Sequence, residues 1–499
     1  MSHKQTTAPD FEVAIIGAGF AGLGMGIRLK TAGQNAFVIF ERASELGGTW
    51  RDNVYPGCAC DIPSLVYSFS FDQNPNWSRH YPTQPEILAY LKQCVDNFNI
   101  RSHIRFNSKV TRLQFDEPTG CWQVQTKDGR FVTARHVVAA IGPLNRPRIP
   151  TIPGLETFQG NAFHSSQWDR TFDPKGRRIA TIGTGASAIQ FIPQIAKSAA
   201  QVTIFQRTPP WIIPRGDHPI PERRRRWFNK IPGLQNLWRS RLYWLLEFGV
   251  LGFLGNERVK KAGSAIALRH LARQIADPVL RQAVTPNYEF GCKRILVSDD
   301  YYPALQQANV ELVTAAIKEI RPHTIIDNDG IERPVDTLIF GTGFIASKIL
   351  IPMKIIGRDG RELISEWQES GPEAYYGLSV SGYPNLFFLL GPNTGLGHNS
   401  VVLMMESQYD YILDYFRLLK KKGVPFIDIK PDVQAQHNQK IQTKLETTIW
   451  QTGGCQSWYQ TAAGKNTTLW PGSTIGYRLQ TRRVHLAAYD RQGGKFLFL

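Results

Sequence analysis

The chain has 499 residues with 42% hydrophobic and 20% charged side chains, and its formal net charge is +17. At ~150 residues per domain it should fold as two or three domains around a sizeable core, which excludes both a small disulfide-stapled module and a long disordered polymer. The positive balance would suit an anionic macromolecule, but outside residues 223–226 the basic side chains are scattered, and an enzyme handling phosphorylated cofactors gains from the same field.

The N-terminal sequence MSHKQTTAPD lacks the apolar segment of a secretory signal, and disorder is expected only over residues 1–9. Residues 12–16 form a β-branched apolar run that ends in Gly17, Ala18, Gly19, Phe20, Ala21 and Gly22. A helical pattern continues to about Ala32, and residues 37–40 read as a second buried strand. Strand, glycine turn, helix and strand in this order open a doubly wound sheet. Short strands are predicted at 110–113, 122–126 and 130–133, with a separate buried strand at 136–141. A linker carrying Pro143, Pro147, Pro150 and Pro153 marks a domain crossing.

The opening pattern then recurs as a strand at 178–182, a glycine turn from Gly183 to Ala188, a helix at 188–196 and a strand at 201–206. Residues 221–275 read as helical, basic and rich in Trp and Leu. Within them the longest apolar stretch, 242–254, is interrupted by Glu247 and falls short of the ~20 residues that span a bilayer. A strand at 337–340, backed by Gly341, Thr342 and Gly343, is expected to return to the first sheet and make the first domain discontinuous. The prediction is an α/β fold of two doubly wound, Rossmann-like dinucleotide-binding domains. Residues 1–145 with 336–499 form the first, and 146–335 form the second, which carries a helical insertion at about 216–290.

Glycines are required at such turns because the backbone must approach a pyrophosphate whose charge rests on the helix N-terminus. The residue ending the second strand faces the adenosine ribose and discriminates between cofactors. Glu41 follows Gly17 at the same spacing as Arg207 follows Gly183. A carboxylate accepts hydrogen bonds from free ribose hydroxyls and repels a 2′-phosphate, whereas a guanidinium beside the Thr208 hydroxyl does the reverse. The first site should therefore take FAD or NAD and the second NADPH.

The six cysteines, Cys58, Cys60, Cys94, Cys121, Cys292 and Cys455, form no C-x-x-C pair and no disulfide-type spacing, which predicts free thiols and a reducing cytoplasm. Cys58 and Cys60 are separated by one residue, a spacing that strains a disulfide ring and argues against a disulfide reductase. No metal site is expected.

Two longer patterns carry a resemblance. Residues 158–169, FQGNAFHSSQWD, match F-x-G-x-x-x-H-x-x-x-W-(P/D) in full, and Gly47 to Asp61 match (A/G)-G-x-W-x-x-x-x-(F/Y)-P-(G/M)-x-x-x-D. By these the chain resembles the type I Baeyer–Villiger monooxygenases, class B flavoprotein monooxygenases, from about residue 10 to 470. Flavin-containing monooxygenases that oxygenate amines and sulfides carry Tyr or Phe where Trp168 stands.

The resemblance implies FAD and NADPH as cofactors, O2 and a small ketone as substrates, and insertion of one oxygen next to the carbonyl to give an ester or lactone through a C4a-peroxide of the flavin and a Criegee adduct. It places Arg294, in the loop Gly291, Cys292, Lys293, Arg294, over the flavin as the catalytic arginine, oriented by Asp61. It implies FAD contacts at Gly17, Gly19, Phe20, Gly22, Glu41, Gly48, Thr49, Trp50, Arg51, Asp52, Asp61, Tyr67 and Val110. It implies NADP contacts at Ala59, Cys60, Asp61, Gly183, Thr184, Gly185, Ala186, Ser187, Ala188, Ile189, Gln206, Arg207, Thr208 and Lys293. Phe158, Gly160, His164 and Trp168 would form a hinge that couples domain motion, and residues 384–400 a glycine-rich turn under the flavin ring.

The alternative within enzymes is oxygenation of amines or sulfides, since the same flavin chemistry serves soft nucleophiles. A different class, a basic flavoprotein binding a membrane surface or nucleic acid through residues 223–226 and 238–254, competes with the reading of that region as a helical cap; peripheral lipid contact is compatible with either, and no nucleic-acid partner is expected.

Overall fold

Each of two largely parallel sheets begins where a β-branched run meets a glycine turn. The structure is a computed structural model that describes residues 8–345, 350 and 353–490; residues 1–7 of the segment expected to be disordered lie outside the described residues. The main strands in chain order are β1 (Phe11–Ile16), β2 (Phe37–Phe40), β3 (Ile104–Arg105), β4 (Val110–Asp116), β5 (Cys121–Thr126), β6 (Phe131–Ala139), β7 (Asn161–His164), β8 (Arg178–Ile182), β9 (Gln201–Phe205), β10 (Val310–Val313), β11 (Thr337–Phe340), β12 (Lys354–Ile356) and β13 (Leu386–Phe388). The first sheet has eight strands in the order β12-β4-β5-β6-β1-β2-β3, with β13 also on β6, and the second has the order β10-β9-β8-β11-β7. Helix α1 (Phe20–Thr31) follows the first glycine turn, α2 (Gln84–Asn97) lies between β2 and β3, and α3 (Ala188–Ile195) follows the second turn.

Two strand expectations are corrected. Residues 130–133 and 136–141 are not two strands but the single strand β6. Its first half pairs antiparallel with β5, and its second half runs parallel between β1 and β13. Arg135 and His136 interrupt the apolar pattern, yet His136 is buried opposite Val13. The strand at 337–340 does not return to the first sheet; it runs parallel to β8 and β7 within the second. A four-residue apolar strand carries no record of its partner, and the return to the first sheet is made by β12 and β13 instead.

The insertion folds as α4 (Glu222–Lys230), α5 (Leu234–Phe248), α6 (Val250–Phe253) and α7 (Glu257–Gln274), the last started by the Asn256 side chain accepting from Arg258 and Val259 amides. A long α8 (Val401–Lys422) crosses α1, where Gly24 leaves room for Tyr409, whose hydroxyl donates to the Ala21 carbonyl. Helix α9 (Thr474–Gln480) closes against α8. Among the described residues no helix is long and apolar enough to cross a membrane.

The expectation of free thiols throughout is also corrected. Cys292 and Cys455 form a disulfide with a Cα–Cα distance of 6.2 Å, while Cys58, Cys60, Cys94 and Cys121 are free and buried. The bonded pair is 163 residues apart in sequence, so local spacing holds no sign of it.

Candidate functional site

At the first turn β1 ends in Gly17, whose φ is +110° and where a Cβ would lie 2.6 Å from the Ala140 carbonyl oxygen. Only glycine fits there. Gly48, in the loop that packs on this turn, approaches so closely that a Cβ on it would stand 3.1 Å from the Gly19 Cα. Helix α1 begins at Gly19 with no side-chain cap, so its first amides point unsatisfied into the turn. Backbone cradle and uncapped helix start together suit a pyrophosphate.

Glu41 is buried at the end of this unit. Its carboxylate accepts from the Ala18 and Ala43 amides at 2.9 and 3.0 Å and pairs with Arg51 at 2.9 Å, while Arg51 also holds Asp52 at 2.8 Å. Trp50 donates to the Tyr67 hydroxyl at 3.1 Å, and Phe20 meets the Tyr67 ring edge-on. Thus Gly17, Gly19, Phe20, Gly22, Glu41, Gly48, Thr49, Trp50, Arg51, Asp52 and Tyr67 converge around one turn. Val110 has its side chain in the core with Ile16 and Phe40.

The second turn repeats the geometry with less cover. Gly183 has φ +100° and a Cβ there would lie 2.6 Å from the Gly341 carbonyl oxygen, which explains why the residues after β11 sit beside this turn. Helix α3 also starts without a side-chain cap, at Ser187. The Thr184 hydroxyl donates to the Thr208 carbonyl at 3.5 Å. Gln206 donates to the Ala283 carbonyl, while its buried Oε1 has no partner among the described residues. Arg207 is exposed. Lys293 lies over the Tyr288 ring at 4.7 Å, and burial together with the positive charge of Arg207 lowers its pKa.

Between the units, Asp61 accepts from both Nε and Nη2 of Arg294 at 3.0 and 2.6 Å. The carboxylate raises the pKa of a group that is already permanently charged. Cys60 is buried and its thiol is pushed well up by burial; its carbonyl accepts from Arg215. His164 accepts the Ser166 amide at Nδ1 and donates from Nε2 to the Gly343 carbonyl at 3.0 Å, which ties β7 to the chain beyond β11. Burial lowers its pKa, consistent with this neutral tautomer. A Cβ on Gly160 would meet the Asp336 carbonyl and the Phe158 ring. Trp168 packs between Tyr55 of the first unit and Phe191 of α3. Two open clefts of about 710 and 550 Å³ flank this junction, the first lined by Trp168 and the second by Tyr55 and Ala59.

Some contributors had no sequence signal. Gln190 on α3 clamps the first unit by donating to the Ala59 carbonyl and accepting from the Ala59 amide and the Tyr55 hydroxyl. Tyr459 is buried within reach of the Arg294 charge, on the C-terminal segment that Cys455 bonds to the arginine loop. Glu247 is buried too, accepting from Asn399 at 2.8 Å and from the Thr474 amide and hydroxyl.

Comparison with known proteins gives three findings. Residues 14–219 match the pyridine nucleotide-disulphide oxidoreductase family. The chain is 49% identical to a Baeyer-Villiger monooxygenase of Pseudomonas aeruginosa over 96% of this chain and 91% of that protein. It is 44% identical to one of Streptomyces coelicolor over 98% and 94%. Its structure superposes on a crystal structure of OTEMO in complex with FAD and NADP with a TM-score of 0.87 at 26% identity, covering 97% of this chain and all of that one.

Proposed function

The chain belongs to the Baeyer–Villiger monooxygenase family, and from that premise we propose that it uses FAD, NADPH and O2 to insert one oxygen atom beside the carbonyl of a ketone, giving an ester or lactone. Bound FAD, reduced by NADPH, supplies the activation of oxygen. The first glycine turn and Glu41 hold the flavin's ADP half, with Arg51 and Asp52 bracing the carboxylate. The second turn, with Arg207, Thr208 and Lys293, holds NADPH by its 2′-phosphate. Residues 8–145 with β12, β13 and the described chain that follows them form the flavin domain, and the NADP domain runs through β11. His164, Trp168 and Gln190 join the two and set the angle between them. The enzyme works in the cytoplasm, where NADPH is supplied.

The Asp61–Arg294 pair, in which the single oxygen Oδ2 accepts from two guanidinium nitrogens, carries this reading. Asp61 Oδ2 takes Nε and Nη2, so it holds that edge of the guanidinium and leaves Nη1 to donate to negative charge that develops on the substrate oxygen. Preorganisation of this kind is effective because the donor does not reorient during reaction. The fixed cation favours attack on a carbonyl over transfer to a soft sulfide or amine, which needs no such charge.

Arg294→Ala is expected to bind FAD and accept reduction by NADPH, yet lose ester formation about a hundredfold or more. Product analysis with a ketone beside a thioether measures both reactions; an undiminished ester yield would overturn the assignment.

A further inference from the structure

Helix α5 packs Leu234, Trp238 and Leu242 against the core and carries a second apolar face outward. Its charged Arg239 and Glu247 face inward: Arg239 donates to the Leu65 and Ser68 carbonyls, and Glu247 binds Asn399 and the start of α9. Its apolar Leu237, Trp244, Leu245 and Phe248 face outward, each between 56% and 67% exposed save Leu245 at 70%. Spacings of three, four and seven residues place these four on one stripe. Leu251 beyond it and Leu479 on α9 are exposed as well, and α9 is tied to α5 by the Tyr243–Thr474 hydroxyl pair at 3.0 Å. A stripe of this kind facing water marks a contact surface.

Charge selects the occupant. From residue 223 to 246 and again from 475 to 489 the chain contains no Asp or Glu, and although Glu222 at the start of α4 pairs with Arg226 at 2.8 Å, Arg223, Lys230, Arg241 and Arg478 are exposed along the same elements. A second copy of this surface would bring cation against cation. An anionic bilayer meets both demands, since its acyl boundary takes Trp, Leu and Phe and its headgroups take Arg and Lys.

We propose that the outer face of α5, continued by α6 and α9, docks the enzyme peripherally on an anionic lipid surface. The inner side of the same helices covers the turn at 395–400, where Glu247 holds Asn399 and a Cβ on Gly397 would touch Phe253. The same side also meets the arginine loop, where a Cβ on Gly291 would stand 3.2 Å from Phe253, so docking sets this cover of the candidate site against the membrane.

The test is flotation of the holoenzyme with phosphatidylcholine vesicles, with and without phosphatidylglycerol, at low and high salt. The expected result is flotation with the anionic vesicles, weakened by salt. The double variant L245S/F248S, with unchanged flavin content and melting temperature, should bind at least about tenfold more weakly. Failure of the parent to float with anionic vesicles, or equal flotation of the variant, overturns the proposal. So does light scattering that finds a dimer which the variant converts to monomer, because the stripe would then join two copies. These readouts do not use turnover and stand apart from the assignment of the reaction.

Discussion

The two dinucleotide units share one plan and differ in how much of it is covered. At the first, Glu41 is buried and already holds two amides and Arg51, and the loop through Gly48 closes on the glycine turn. At the second, Arg207 projects into solvent and Lys293 is half-buried. A site whose polar groups are anchored before the ligand arrives holds a resident cofactor; one left open and cationic suits a cosubstrate that enters and leaves.

The largest expected effect breaks the comparison at its turns. Gly17→Ala forces a Cβ into the Ala140 carbonyl at a φ that side chains avoid, so the variant should be recovered without flavin and with lowered thermal stability. Gly185→Ala meets only ordinary van der Waals contact, 3.8 Å from the Gly341 carbonyl oxygen, and it should keep its flavin with stability changed by no more than ~0.5 kcal/mol. Gly183→Ala, whose Cβ would lie 2.6 Å from the Gly341 carbonyl oxygen at a φ of +100°, should lose stability as Gly17→Ala does yet keep its flavin; flavin absorbance and melting temperature measure all three, and loss of flavin from both first-glycine variants alike would erase the distinction between the two sites. Next in size, Arg207→Ala should raise the KM for NADPH about ten- to a hundredfold through the loss of a charge-assisted contact, with little change for NADH. Lys293→Ala should act in the same direction and less than Arg207→Ala, since Lys is a point charge without the guanidinium fork. Equal effects on the two nucleotides would remove the phosphate role.

The same contrast bears on what is legible in the chain. Both turns and the strands beside them follow from local patterns, because a buried parallel strand and a tight glycine turn leave their constraints on adjacent residues. Partner choice leaves no such mark. Residues 337–340 look alike whichever sheet they join, and the structure puts them beside Gly183 in the second. Asp61 and Arg294 are separated by 233 residues and Cys292 and Cys455 by 163; the first pair is approached only through resemblance to a family, and the second not at all. Gln190 is hidden for a further reason: on a short helix next to a glycine turn it looks like an ordinary polar face, and only the folded chain brings Ala59 to it.

The smallest effect at neutral pH tests the first sheet's core against the junction. His136 on β6 is buried beside Phe416 at 4.2 Å, its Nδ1 has no partner among the described residues, and burial pushes its pKa from 6.5 down to about 3. His164 at the junction is satisfied at both nitrogens. Between about pH 3 and 6.5 the unfolded chain binds a proton at residue 136 that the folded chain refuses, so stability rises with pH across that window and is lost as pH falls through it. One proton is worth up to about 1.4 kcal/mol per pH unit. His136→Phe should leave stability near neutral pH little changed and flatten the acid limb by that amount. His437, lowered by burial to about 4, would keep part of the slope in the variant. Urea midpoints measured across the window decide it: an acid limb as steep in His136→Phe as in the parent would mean that the ring is protonated in the folded state, and that the first sheet's core is wetter than its packing implies.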